Sequence, residues 1–262
     1  MTQDPSDWWQ TSIIDMEPGR IAFRGTPIED LIGTTSFPEM IWLMLRGDRP
    51  TAGQSALLEA ALVAGVDHGP QAPSIAAARM AATCGVGLNA ALATGINMLG
   101  DIHGGAGEQC AELYLDIDTR AQSVPLAQAT VDGLGHWRAS RGKIVSGFGH
   151  RFHKPVDPRA PRLMALVREA ADQGIVSGRF ADIGEAVQHQ IGADRGADIA
   201  MNIDGATAVI FCELGFPPPL SRGLFCLSRS VGILAHAWEQ TEQGGRNKGP
   251  MPPSILPKYV PG

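Results

Sequence analysis

The sequence is short of positive charge: 21 Lys and Arg stand against 27 Asp and Glu in 262 residues, a formal net charge of -6. No long basic run offsets that deficit. This argues against a nucleic-acid partner, because phosphate binding needs Lys and Arg gathered on one face. Cysteine is sparse too. The four thiols, Cys84, Cys110, Cys212 and Cys226, lie far apart and form no CxxC pair, which excludes the dense disulfide framework of a small secreted domain. Reduced, mostly buried thiols are expected. The opening MTQDPSDWWQTS lacks the basic end and apolar run of a secretion signal. Long apolar runs are missing as well: Ala90 to Leu99 carries polar interruptions and falls short of the roughly 20 residues that a membrane-spanning helix needs. A soluble, cytoplasmic chain without a membrane span is expected.

What is present reads as globular. Hydrophobic residues make up 44% and charged residues 18%, with a mean hydropathy of -0.01. The length allows one or two domains with a substantial core, and the low charge fits a protein that buries extra surface in an oligomer. Helical apolar spacing appears at 54–64, after Thr51 and before Gly65, and again at 74–83, 88–99, 108–115, 126–140, 158–169, 181–191, 197–214 and 223–243. Strand-like pieces are confined to 11–23, where Ile13, Ile14, Ile21 and Phe23 flank Glu17-Pro18-Gly19, a hairpin pattern. The tail from Gly244 is too rich in Pro and Gly for a helix and is expected to run extended.

Three segments set ionisable residues beside glycine: Asp101-Ile102-His103-Gly104-Gly105, Gly147-Phe148-Gly149-His150-Arg151 and Asn202-Ile203-Asp204-Gly205. Glycine lets a substrate approach the backbone and frees N–H groups for anions. Two His and one Asp could also ligate a metal, but no pair has the i, i+4 or HxH spacing that organises such sites, so no metal is expected. Together these groups can enolise a weak carbon acid. A carboxylate removes the proton alpha to a thioester, one imidazole hydrogen-bonds the enolate oxygen, and the other manages the proton on a partner oxygen. That chemistry is aldol- or Claisen-like, in either direction.

In order along the chain stand VDHGPQAPSIAAAR, GDIHGGAGEQ, GFGHRFHKPVDPRAPR, MNIDGATAV and LSRSVGILAHAWEQ. This succession resembles the citrate synthase superfamily, and TSIIDMEPGRIAFRGTPIEDL extends the likeness to the amino-terminal hairpin. The resemblance implies an all-α, citrate synthase-like two-domain fold with a small N-terminal β-hairpin. A large domain would be formed by 1–106 and 216–262, with a small domain at 107–215. It implies His103, His150 and Asp204 as the catalytic groups, with His68, Arg159 and Arg229 holding the 2-oxo acid. Gly147, Phe148, Gly149 and Lys154 would bind coenzyme A, which enters as a thioester substrate rather than a tightly bound cofactor.

VDHGP, NIDG and SRSVG, with the SILPKYV tail, are most similar to citryl-CoA lyases and to the carboxy-terminal module of ATP-citrate lyase. The Arg-Pro-Arg element of citrate synthases is absent from GPMPPSILPKYVPG. Citryl-CoA cleavage to acetyl-CoA and oxaloacetate is therefore the first expectation. Condensation of acetyl-CoA with a 2-oxo acid, or a non-catalytic acyl-CoA-binding subunit, are the alternatives. A homodimer or higher homo-oligomer is implied. His136, His153, His189 and His236 match no catalytic position and read as packing or surface residues, Arg79 as a buried structural arginine, and Trp238 as part of a core or dimer stripe.

Overall fold

The computed structural model describes residues 4–149 and 155–261. After a single helical turn, α1 (Pro5–Trp8), the strands β1 (Ile14–Glu17), β2 (Arg20–Phe23) and β3 (Thr26–Pro27) form an antiparallel sheet in the order β1-β2-β3. Ile14 pairs with Phe23 and Glu17 with Arg20 across the Pro18-Gly19 turn, as the hairpin pattern requires. The third strand is two residues long and was not visible as a pattern.

The rest is helical: α2 (Ile28–Leu31), α3 (Phe37–Arg46), α4 (Ala52–Gly65), α5 (Pro73–Thr83), α6 (Leu88–Asn97), α7 (Ala106–Arg120), α8 (Leu126–Arg141), α9 (Arg159–Asp172), α10 (Arg179–Arg195), α11 (Ile203–Glu213) and α12 (Pro218–Glu242). The helix starts follow from their caps. Ser36 with Glu39 and Thr51 with Gln54 make reciprocal capping boxes on α3 and α4. Proline at the first turns of α3, α5 and α12 supplies a preset φ where an N–H has no helical partner.

One expected helix is corrected. The apolar run 197–214 turns helical only at Ile203, because Asn202 caps α11 by accepting from the N–H groups of Asp204 and Gly205. The residues before it pair with 147–149 instead: Gly149 N–H donates to Ala200, Asn202 N–H donates to Gly147, and Phe148 bridges Met201. The helix expected at 108–115 reaches from Ala106 to Arg120. The tail from Gly244 carries no helix or strand among the described residues.

Two apolar clusters hold the helices. The larger spans α3, α4 and α7 to α12 around Trp42, Leu58, Tyr114, Ile117, Val187 and Ile210; each such fully buried aliphatic contributes about 1.5–3 kcal/mol. The Trp42 and Phe216 rings meet edge to face at 5.2 Å. The smaller cluster, Ala72, Ile75, Ala78, Ala91, Ile233 and Ala237, joins α5, α6 and α12. Cys110 and Cys212 are buried as expected and burial pushes the Cys110 thiol up to about 12, whereas Cys84 is exposed. No described helix is long and apolar enough to cross a membrane.

Candidate active site

A cavity of about 620 Å³ is lined by His68, His103, Asp204, Arg159, Arg229 and Gly149, among others. It is built largely from helix ends. The first residues of α5, α7, α9 and α11, namely Pro73, Ala106, Arg159 and Ile203, all line it, so four positive helix ends converge on one space and favour an anionic ligand.

His103 is set by the first turn of α5. The Ser74 N–H donates to His103 Nε2 at 3.2 Å, and the Ser74 hydroxyl lies 3.0 Å from the same nitrogen. A backbone N–H can only donate, so Nε2 carries a lone pair and the neutral ring keeps its proton on Nδ1. Burial, with Arg229 nearby, holds the imidazolium below its usual range. The ring is thus a neutral Nδ1–H donor.

Asp204 stands at the second position of α11. Burial pushes its carboxyl up; the Arg229 and Arg159 charges oppose this, and the Asp157 charge adds to it. The net upward shift suits a group that exchanges a proton with carbon.

Arg229 is buried in the middle of α12. Its Nε donates to Gly65 O at 3.0 Å, and its guanidinium sits 4.8 Å from the Phe225 ring centre. No Nη hydrogen bond to protein occurs among the described residues, which leaves that edge of the fork for a carboxylate. Arg159 is already engaged. Its Nε and Nη2 donate to Asp157 Oδ1 and Oδ2, both at 2.9 Å, which leaves Nη1 as the nitrogen that Asp157 does not hold.

His68 occupies a tight loop in which Gln71 Nε2 donates to the His68 carbonyl at 2.9 Å. Its neighbour Asp67 lies 3.2 Å from His236 Nε2. Arg79, which can only donate, reaches His236 Nδ1 at 3.3 Å and Gln243 at 2.9 Å. His236 and Arg79, read from the sequence as packing residues, therefore brace the loop that carries His68. Gly232 of α12 admits this loop: a Cβ there would lie 2.1 Å from Val66 O.

Of the glycine segment, Gly149 lines the cavity and Gly147 and Phe148 do not. Gly147, at φ +88°, is a packing point: a Cβ would lie 2.6 Å from Cys110 Sγ and 2.9 Å from Gly205 Cα. His150 and Lys154 lie outside the described residues. No group of three His, Cys, Asp or Glu able to hold a metal occurs among the described residues. Sequence reading missed Ser74, the capping role of Asn202 and the bond from Asp157 to Ile203; the pairing of Asp157 with Arg159 was an alternative that the sequence offered and the structure contains. The Pro73-Ser74 helix start, the Asn at a helix start and the DPR tripeptide were the available signals.

The family model for the citrate synthase C-terminal domain matches residues 1–62 and 50–250. The citrate synthase of Haloferax volcanii is 30% identical over 200 residues, 76% of this chain and 50% of that protein. The chain thus spans about half the length of the curated relatives it matches. Among solved structures, citryl-CoA lyase from Hydrogenobacter thermophilus superposes with a TM-score of 0.85 at 31% identity, covering 97% of this chain and 95% of that one. Citrate synthase from Pyrobaculum aerophilum gives 0.65 at 27%, covering 86% and 55%. With the order of its motifs, its helical architecture and a cavity in which His103, Asp204 and two arginines meet, the chain belongs to the citrate synthase family.

Proposed function

We propose that the chain cleaves citryl-CoA, or a related 3-hydroxy-3-carboxyacyl-CoA, to acetyl-CoA and oxaloacetate. The observation that carries this reading is the cavity in which an Nδ1–H imidazole, a carboxyl with raised proton affinity and two arginines meet among four helix starts. Arg229 and Arg159 hold carboxylates of the 2-oxo-acid half, with His68 beside them. The base, by resemblance His150, takes the hydroxyl proton. The carbon–carbon bond then breaks and its electron pair passes to the thioester as an enolate. His103 Nδ1–H stabilises that enolate oxygen, and protonated Asp204 gives its proton to the acetyl carbon. Asp204 and His150 end with one proton fewer and one more, and re-equilibrate through solvent. Coenzyme A would lie along 147–149 with Lys154 at its phosphates, and no tightly bound cofactor is needed.

Likeness to a citryl-CoA lyase over nearly both whole chains favours cleavage. The same groups run the condensation in reverse, and the curated relatives carry the name citrate synthase. The two-domain division at 106/107 and 215/216, and a homodimer, belong to this proposal. The second copy would cover the apolar row Leu227, Val231, Leu234 and Trp238 on the exposed face of α12.

The test compares oxaloacetate release from citryl-CoA with coenzyme A release from acetyl-CoA plus oxaloacetate. Faster cleavage supports the lyase reading and faster condensation the synthase reading. Tight coenzyme A binding, with wild type and Asp204→Ala equally inert in both assays, would leave only a binding subunit.

A further inference from the structure

Asp157 is none of the residues given a chemical role above, yet its side chain is wholly buried at the edge of the cavity. Its oxygens accept four hydrogen bonds. Oδ1 takes Arg159 N–H at 3.1 Å and Arg159 Nε at 2.9 Å; Oδ2 takes Arg159 Nη2 at 2.9 Å and the Ile203 N–H at 3.1 Å. Every acceptor position of the carboxylate is used.

Both partners lead into the site. Arg159 lines the cavity, and Ile203 lines it while immediately preceding Asp204. The opening N–H groups of a helix have no partner within it. In α11, Asp157 satisfies that of Ile203, while Asn202 satisfies those of Asp204 and Gly205. The first turn is therefore fixed, and the orientation of Asp204 with it. The same carboxylate holds two edges of the Arg159 guanidinium, so the arginine meets an anion already oriented. One buried group thus joins the start of α9 to the start of α11.

We propose that Asp157 is a positioning residue for the reaction: through Arg159 and Ile203 it holds the anion-binding guanidinium and the proton-transferring carboxylate in register. This rests on the roles proposed for Arg159 and Asp204. A salt bridge serving stability alone would leave substrate affinities where they are.

The test compares wild type, Asp157→Asn, Arg159→Gln and the double variant. Asp157→Asn is expected to raise KM for oxaloacetate about tenfold while KM for acetyl-CoA moves less than about twofold. The double variant is expected to bind oxaloacetate no more weakly than Arg159→Gln alone, by calorimetry. The groups facing Asp204 are Arg229 from α12, Arg159 from α9, Cys110 from α7 and Asp157 itself. Removing the Asp157 charge should shift the carbon-13 titration of the Asp204 carboxyl down, since that charge is one of the causes of its raised proton affinity. An unmoved titration, equal KM effects on both substrates or additive losses in the double variant would overturn the inference. If wild type turns over neither substrate pair, the proposed function fails, and oxaloacetate binding by calorimetry across the four proteins alone decides the role of Asp157.

Discussion

His103 and Asp204 line the same cavity, and a helix start sets each, but in opposite ways. His103 lies outside α5 and receives an N–H from its first turn, so the positive helix end opposes protonation of the ring. Asp204 lies inside the first turn of α11, where the helix end favours the anion, and burial overrides that preference. Their supports differ as well. Asp204 stands on a helix buried along most of its length in the larger cluster. Ser74, which holds His103, belongs to α5, packed on a six-residue cluster with α6 and α12, and α12 leaves an apolar face in solvent. One wall of the cavity is self-sufficient, whereas the other is expected to lean on a second copy.

Asp204→Asn should have the largest effect, because it removes the proton-transfer group and keeps its shape. The cleavage rate is expected to fall about 10³-fold, with thermal stability unchanged or higher since a buried acid is neutralised. A loss below tenfold would deny the Asp204 wall its chemical part. His103→Ala removes one enolate hydrogen bond and is expected to cost about 10²-fold in kcat. The pH profile separates the two groups: His103 stays neutral below its usual pH and should add no break near 6.5. A break near 6.5 that disappears in His103→Ala would overturn the neutral-imidazole assignment.

Asp157 supplies a pH-dependent difference. Burial pushes its carboxyl up, but Arg159 and the Ile203 N–H outweigh it and hold the group at about 2, against its ordinary value of 3.8. A depressed acid contributes its stability above the unfolded value and loses it as pH falls through the folded one. Wild type should therefore lose about 2 kcal/mol relative to Asp157→Asn between about pH 4 and pH 2, read by denaturant unfolding. A constant gap would sink this. The smallest effect is expected from Leu234→Glu on the exposed face of α12: within about 0.5 kcal/mol on the isolated chain, but with a shift from dimer to monomer in sedimentation. An unchanged assembly state would show that the α5 wall needs no second copy.

Most helices were legible from apolar spacing and caps, as with Thr51 at the start of α4, whereas α12 starts at Pro218, five residues before the expected 223, because a proline-rich opening does not read as helix. The start of α11 was misread because residues 197–201 have helical composition, and their partners at 147–149 lie some fifty positions away. The Gly-flanked His103 and Asp204 stood out locally. Ser74 and the bond from Asp157 to Ile203 did not, since these contacts span 29 and 46 residues; only the pairing of Asp157 with Arg159, two positions apart, was local. Nor could the sequence tell that Gly147 serves packing while Gly149 opens on the cavity.

That packing point governs how this side of the site can move. Gly147 and Gly205 touch backbone to backbone, and the 147–149 segment is sewn to the stretch leading into α11 by Gly149 N–H to Ala200, Asn202 N–H to Gly147 and Asn202 Nδ2 to Gly149. The 147–149 segment is therefore no independent flap. Any widening of the cavity here must carry Asp204 along or break all three bonds, so the cavity's width and the carboxyl's reach are mechanically one variable.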